Sequence, residues 1–439
     1  MIFLKKILQL RSLIFFFTAV SISGETFSYD LLKAFIYAQN YESQFASERS
    51  LFDANKEKRI QSRSFLLPKI SLNAITRQID GNRGTFDFNY DSSSYQIQLI
   101  QPIYNREYLK IYQQSKIQVS VSEIQFDKAR TELALKVANA YFDVLVAQDE
   151  IGFIQSEKKS IKEQLALAKK NFEIGTATIT DSHEAQARFD LALSKEILAQ
   201  NKLEVKRNSM MQITGKFPPI LKSLKSEIEL NLPKPSSIKS WIKAAMSFNH
   251  EVVIQQLKTE IAKLEIIKNK SAFWPKLDAT ANYSNARNVN PFFPGKLVQN
   301  SIGIEFNLPI FSGFSNSSRI KEAVFLKKKA IYDLATAKRN AAHQARTSFL
   351  GIQSGLSQIN ALKAAEVSSQ SALDSNLLGY DVGVRINIDV LNAQQQLYST
   401  RKDLAKARYE TIMSGLKLKA ASGKLDEDDL AAINLLLSN

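Results

Sequence analysis

Cysteine is absent from this 439-residue chain. That excludes disulfides, thiolate metal sites and an acylated N-terminal cysteine. Histidine is almost as scarce: His183, His250 and His343 are far apart, with no metal-ligand spacing, and neither a nucleophile motif nor a glycine-rich phosphate loop accompanies them. The expectation is therefore a protein that is not an enzyme and needs no cofactor or metal. Beyond the N-terminus no segment approaches the ~20 uninterrupted apolar residues of a transmembrane helix, so any membrane insertion must use strands. Proline and glycine are also few, 10 and 15 in all. From Ile103 to about Phe172 there is no proline and Gly152 is the only glycine, which permits a nearly continuous helix roughly 100 Å long. Residues 314–379 form its counterpart, interrupted by Gly351, Gly355 and Gly379 alone.

The N-terminus is the one place where an apolar run stands out. Lys5, Lys6 and Arg11 precede LIFFFTAV, and Ser21 and Ser23 stand at the −3 and −1 positions before Gly24. Residues 1–23 thus have the layout of a secretory signal peptide, and the mature chain is expected to be exported. The net charge of +15 becomes +12 without its three cations. Such a balance raises nucleic acid or anionic lipid as a partner. However, the cations alternate with carboxylates along helical stretches such as KKKAIYDLATAKRNAAHQAR, with no aromatic platform beside them, which describes solvated helix faces and no nucleic-acid interface.

The chain repeats itself. LLPKISLNAIT (66–76) has a second copy in FWPKLDATANY (273–283), with Pro275 lying 207 residues after Pro68, and Pro309 lies 207 after Pro102. FEIG (172–175) and YDVG (380–383) match at an offset of 208, as do Gly215-Lys216 and Gly423-Lys424. This is far longer than a solenoid repeat and points to duplication of a whole unit, residues 24–232 and 233–439.

Within each half the periodicity changes twice. Residues 28–64 are helical in composition. Alternation follows at about 68–78 and 94–101, and again at about 275–285 and 301–309. Ile70, Leu72, Ala74 and Thr76 point one way while Lys69, Ser71 and Asn73 point the other. Tyr95, Ile97 and Leu99 oppose Gln96 and Gln98; Leu277, Ala279, Ala281 and Tyr283 oppose Asp278, Thr280 and Asn282; and Ile302, Ile304 and Phe306 oppose Gly303 and Glu305. Residues 81–93 and 288–300 read as exposed hairpin connections. Four strands, apolar on one face, suit lipid outside and water inside, though a soluble β-domain gives the same pattern. The long helices favour the membrane reading: Leu133, Val137, Ala140, Tyr141 and Val144 form a coiled-coil-like stripe, and shorter partners at 182–214 and 390–421 return antiparallel. Four strands cannot close a barrel in lipid, so a homotrimer with twelve strands is expected.

With these features the sequence resembles the TolC family of outer-membrane efflux proteins, most closely in GYDVGVRINIDVLNAQQQLYSTRKDLAKARYETIMSGLKLKAASGKLDEDDL (379–430). The fold class implied is mainly α with a membrane β-barrel: duplicated helix-strand-strand-helix units whose trimer continues below the barrel as a long α-helical barrel. The resemblance implies an outer-membrane channel-tunnel of a Gram-negative bacterium, extending into the periplasm. Proteins or small toxic compounds leave through it, with a periplasmic adaptor and an inner-membrane ABC or proton-driven transporter as partners. The rival is a periplasmic coiled-coil adaptor or structural protein without a membrane barrel.

Segments 172–186 and 380–394 are then the periplasmic tips. Each offers a glycine, Gly175 or Gly383, for a left-handed helix end, and an aspartate, Asp181 or Asp389, to cap the next helix; Asp181 and Glu184 resemble a capping box. By matched motif the resemblance implies that Tyr380 and Arg385 link to the neighbouring tip through Thr180 and Asp181, closing the entrance. It also implies that Asp389 lines the constriction. Where relatives carry a second acidic ring, this chain has Asn392, so the entrance is expected to hold about half the charge.

Overall fold

The computed structural model describes residues 29–225, 228–290 and 294–437. The signal-peptide assignment at 1–23 lies outside the described residues. Helix α1 (Leu31–Tyr41) starts at Asp30, whose carboxylate accepts from the Lys33 amide at 2.8 Å. After one extended residue, α2 (Ser43–Ser64) runs to the Pro68 break. Strands β1 (Lys69–Arg83) and β2 (Phe86–Tyr104) follow, then α3 (Arg106–Glu173), capped by Asn105, and α4 (Ile179–Thr214), which folds back along it. The second half repeats the plan with α5 (Ile238–Phe248), α6 (His250–Lys270), β3 (Lys276–Arg287), β4 (Lys296–Asn307), α7 (Ser315–Asp381) and α8 (Asn387–Ala421). A short α9 (Glu427–Asn434) closes the order.

The 68 residues of α3 and 67 of α7 give staves of roughly 100 Å. The stripe read from sequence is the core of the first: Leu133, Val137, Tyr141 and Val144 are buried and Ala140 is half-buried. They pack at the waist, where α1, α4, α8 and α9 supply Phe35, Met210, Leu416 and Leu430. Helix α8 packs along α7 as α4 does along α3.

The strands form one antiparallel sheet in the order β1-β2-β3-β4. Ile70 pairs with Leu99, Leu99 with Ala281, and Ala281 with Ile302, so one apolar row crosses all four strands. The adjacent row, Ser71-Gln98-Asn282-Ser301, is polar throughout. Because directly paired residues share a face, the alternation in the helix-proximal part of the sheet becomes one lipid-suited face and one water-suited face, and it inverts at Phe86–Asp91 of the β1–β2 hairpin.

Strand limits correct the sequence reading. Residues 81–93 do not form an open loop: β1 continues to Arg83, β2 begins at Phe86, and Gly84-Thr85 make the turn, with Gly84 at φ 67°. The glycine supplies the left-handed backbone that a two-residue hairpin requires. Likewise β4 begins at Lys296, which shortens the second connection to 288–295, and β2 passes Pro102 by a bulge before Tyr104. A proline lacking its N–H fits a bulge.

Candidate functional site: the helix tips

Both tips have the same backbone. In the first, the Gly175 amide donates to Phe172 O at 3.0 Å and Thr176 to Asn171 O at 2.8 Å; in the second, Gly383 donates to Tyr380 O at 3.1 Å and Val384 to Gly379 O at 2.8 Å. This paired pattern ends a helix through a left-handed residue, and Gly175 and Gly383 hold φ of 78° and 77°.

The next helix starts differently in the two halves. At α4 the cap is Thr178, whose hydroxyl accepts from the Asp181 amide at 3.3 Å, while the Asp181 carboxylate accepts from the Thr178 amide at 2.9 Å and its hydroxyl at 2.8 Å. Asp181 is therefore the third helical residue of a Thr178–Asp181 capping box, and not the cap of an Asp181–Glu184 box. At α8 the cap is Ile386, which provides no side-chain acceptor, so Asp389 lies in the first turn and caps nothing. Its negative charge still suits a helix N-terminus.

The tip residues find partners that the sequence does not announce. The Tyr380 hydroxyl accepts from the Asn171 amide group at 3.2 Å. The Arg385 guanidinium lies 3.7 Å from the Asp389 carboxylate, and its aliphatic stem crosses Gly379 so closely that a Cβ there would sit 2.6 Å from Arg385 Cγ. Neither Tyr380 nor Arg385 hydrogen-bonds Thr180 or Asp181 of its own chain among the described residues. Contact between the two tips runs elsewhere. Asn387, fully buried, places its amide group 3.5 Å from the Asp181 carbonyl. One turn on, the Arg188 fork donates to Asn392 Oδ1 at 2.9 Å and to Gln395 Oε1 at 2.7 Å.

Arg188 and Asn387 escaped the sequence reading; an Arg on an exposed helix face carries no local signal for a partner 204 residues away. The geometry also changes the electrostatics expected of the entrance. Asp389 and Asn392, expected at the constriction, each have an arginine of the same chain beside them, so neither stands as a bare polar group.

Above the tips, ion pairs stitch α4 to α3: Lys158–Glu196, Lys202–Glu150 at 2.6 Å and Lys206–Asp143 at 2.7 Å. The Lys158 ammonium bond holds the Glu196 carboxyl below the usual range. At the waist, Asp149 accepts from the Tyr409 hydroxyl at 2.7 Å and the Ser223 hydroxyl at 2.8 Å, and burial raises its pKa despite both bonds. His250 and His343, distant in sequence, line one cavity of about 610 Å³ between α3, α6, α7 and α8. Among the described residues no cluster of three or more His, Cys, Asp or Glu could hold a metal.

A twisted four-stranded sheet with one apolar face, set on a bundle of 100 Å staves that turn back at paired tips, defines an outer-membrane channel subunit. Residues 42–216 and 241–424 match the model of the outer membrane efflux protein family, and the chain belongs to that family. It is 32% identical to the outer membrane protein TolC of Escherichia coli K12 over 397 residues, 88% of this chain and 80% of that one. Against TolC of Vibrio cholerae the figure is 31% over 421 residues, 94% of this chain and 95% of that one. The alkaline protease secretion protein AprF of Pseudomonas aeruginosa is 28% identical over 422 residues, 93% and 87% of the two chains. Among solved structures, CusC superposes with a TM-score of 0.80 at 15% identity over 90% of this chain and 92% of that one. VceC of Vibrio cholerae gives 0.77 at 16% identity over 90% and 96%. The protein is an outer-membrane efflux duct, with its sheet in the membrane and its helices in the periplasm. This sets aside the soluble adaptor alternative.

Proposed function

We propose that three copies of this chain close a twelve-stranded barrel and a helical tunnel beneath it, forming the exit duct for proteins or small toxic compounds. They would be handed over by a periplasmic adaptor and an inner-membrane ABC or proton-driven transporter. The observation that carries this reading is the sheet itself: β1 and β4 are unpaired edges, and open edges are not tolerated in lipid, so another sheet must meet each of them. Three identical sheets meeting β1 to β4 satisfy every edge with the smallest closed symmetric set above the eight-strand minimum. Residues 24–232 and 233–439 act as two copies of one structural unit, so the tunnel has six near-equivalent sectors.

At the lower end, Tyr380 and Arg385 reach Thr180 and Asp181 of the neighbouring chain and hold the entrance closed. Asp181 keeps one carboxylate oxygen clear of its capping box, which supports this assignment. Asp389 and Asn392 line the constriction. The reading is tested first by the mass of the detergent-extracted particle: a trimer from the outer membrane agrees, and a water-soluble monomer sinks it. The gate is tested by single-channel recording of a Y380F/R385S variant. Conductance should rise severalfold, and an unchanged value would remove both residues from the gate.

A further inference from the structure

Charge is unevenly distributed along the staves. The two turns of α2, α3, α6 and α7 nearest the sheet (residues 58–64, 106–112, 264–270 and 315–321) carry nine Lys and Arg against two carboxylates, an excess of seven. Residues 24–439 as a whole have an excess of only twelve. Both carboxylates are paired, Glu265 with Lys268 at 2.7 Å and Glu107 with Lys276 at 3.2 Å. Lys58, Arg63, Lys270, Arg319 and Lys321 are exposed and have no carboxylate within 4 Å among the described residues.

The same level is marked by exposed apolar and aromatic side chains. Leu67, Phe273, Trp274, Ile310, Phe311 and Phe314 lie where helices meet strands, and Arg106 stacks over the Trp274 ring at 4.3 Å. Aromatic residues of this kind settle at the membrane–water boundary. Two helical turns are about 10 Å, one Debye length at ~0.1 M salt, so cations there feel the charge of a lipid head group.

An anionic cargo in the lumen is the other occupant these cations could serve, and the sheet argues against it. On the polar face at this end, Asp278 pairs directly with Glu305 across β3 and β4. Lys69 and Lys276 share that face, so the lumen wall at this level is balanced. The excess belongs to the helix ends.

We propose that these helix ends form a basic collar that binds anionic phospholipid head groups of the leaflet facing the helices. The collar rests on the outer-membrane reading above. Each unpaired cation near an anionic surface would favour that lipid, and the collar fixes the depth at which the staves leave the membrane.

Trp274 is 45% exposed at the collar, whereas Trp241, the other tryptophan, is buried, so Trp274 dominates quenching by membrane lipid. The full-length protein is reconstituted into phosphatidylcholine vesicles in which a brominated lipid, either phosphatidylglycerol or phosphatidylcholine, replaces part of the bulk. Brominated phosphatidylglycerol should quench at a concentration about fivefold lower, the preference of one well-placed surface cation. Raising the salt to about 1 M should erase the difference by screening. A K58Q/R63Q/K270Q/R319Q/K321Q variant should lose most of the preference for phosphatidylglycerol, with its trimer and ion selectivity unchanged. Equal quenching of the wild type by both lipids would overturn the collar. A shift of the variant toward cation selectivity, with lipid preference retained, would place the cations in the lumen and overturn it as well. Quenching by neither lipid would remove the membrane reading along with the collar.

Discussion

Arg188 on α4 and Asn392 on α8 are joined at 2.9 Å, with Gln395 sharing the same guanidinium fork. Through this contact one chain fastens its two helix tips together at the end of the staves remote from the sheet. The pair is exposed, so its worth for folding is at the low end of the ~0.5–1.5 kcal/mol typical of a hydrogen bond. For the proposed closed entrance it matters because, beside the Asn387–Asp181 contact, it ties α4 to α8 through side chains at the tips. Arg188→Gln should therefore leave the melting temperature within a few degrees of wild type while raising single-channel conductance in planar bilayers. Arg188→Lys should not restore the closed level, since an ammonium cannot bridge both acceptors in one plane. Unchanged conductance in both variants would show that the fork is dispensable for closure.

The glycines that end α3 and α8 separate two costs. Gly175 and Gly423 hold φ of 78° and 67°, but a Cβ at Gly175 meets nothing within 4 Å, whereas one at Gly423 would lie 2.2 Å from the Phe248 carbonyl at the α5–α6 junction. Gly175→Ala should cost only the left-handed backbone, about 1–2 kcal/mol. Gly423→Ala adds a clash with main chain that cannot rotate away, and should lower stability by at least about twice as much. Thermal unfolding of the two variants, compared in one detergent, decides this. Equal losses would mean that the α5–α6 junction yields freely.

Asp149 gives the waist a pH dependence of unusual sign. Burial raises its folded-state pKa above the ordinary aspartate value, so its contribution to stability is full below that value and is lost as pH rises through the raised one. Asp149→Asn keeps an acceptor for the Tyr409 hydroxyl and removes the titration. Relative to wild type, the variant should gain stability as pH rises above about 3.8 and level off once pH exceeds the raised pKa of Asp149. Chemical denaturation at several pH values measures the difference, in which the common effect of all other carboxylates cancels. A flat difference, or one of opposite slope, would show that Asp149 is no more buried than an ordinary surface acid.

The sheet face near the helices was legible in the sequence, because a period of two in Ile70-Leu72-Ala74 or Tyr95-Ile97-Leu99 leaves only one way to place aliphatic residues in lipid. The hairpin length was not. Phe86 to Asp91 alternates aromatic with acidic or amide residues, and β1 and β2 pair through that stretch by backbone bonds that do not depend on side-chain hydropathy. The tips show a similar division. The glycines that need positive φ were visible, but Thr178 and Asp181 are both competent caps, and only the built helix start decides between them. Arg188–Asn392 and Asn387–Asp181 join halves 204 and 206 residues apart, and local sequence contains nothing that pairs them.

Asn392 is where charge at the entrance can be manipulated. An aspartate there would face the Arg188 fork that now holds the asparagine, and a charge-assisted pair at that distance is stronger than the present bond. Asn392→Asp alone should thus add little field to the pore of the proposed trimer: each new carboxylate would arrive already neutralised by an arginine. Block by a trivalent cation such as hexamminecobalt should change by less than about twofold. In the double variant N392D/R188Q the carboxylates stand free beside Asp389, and the blocking concentration should fall on the order of tenfold, equivalent to ~1.4 kcal/mol. Measuring block in planar bilayers for wild type, both single variants and the double variant completes a cycle in which the coupling term isolates the pair. If N392D alone already blocks as strongly as the double variant, Arg188 does not neutralise position 392 in the assembled channel. The acidic ring would then be governed by residue 392 itself.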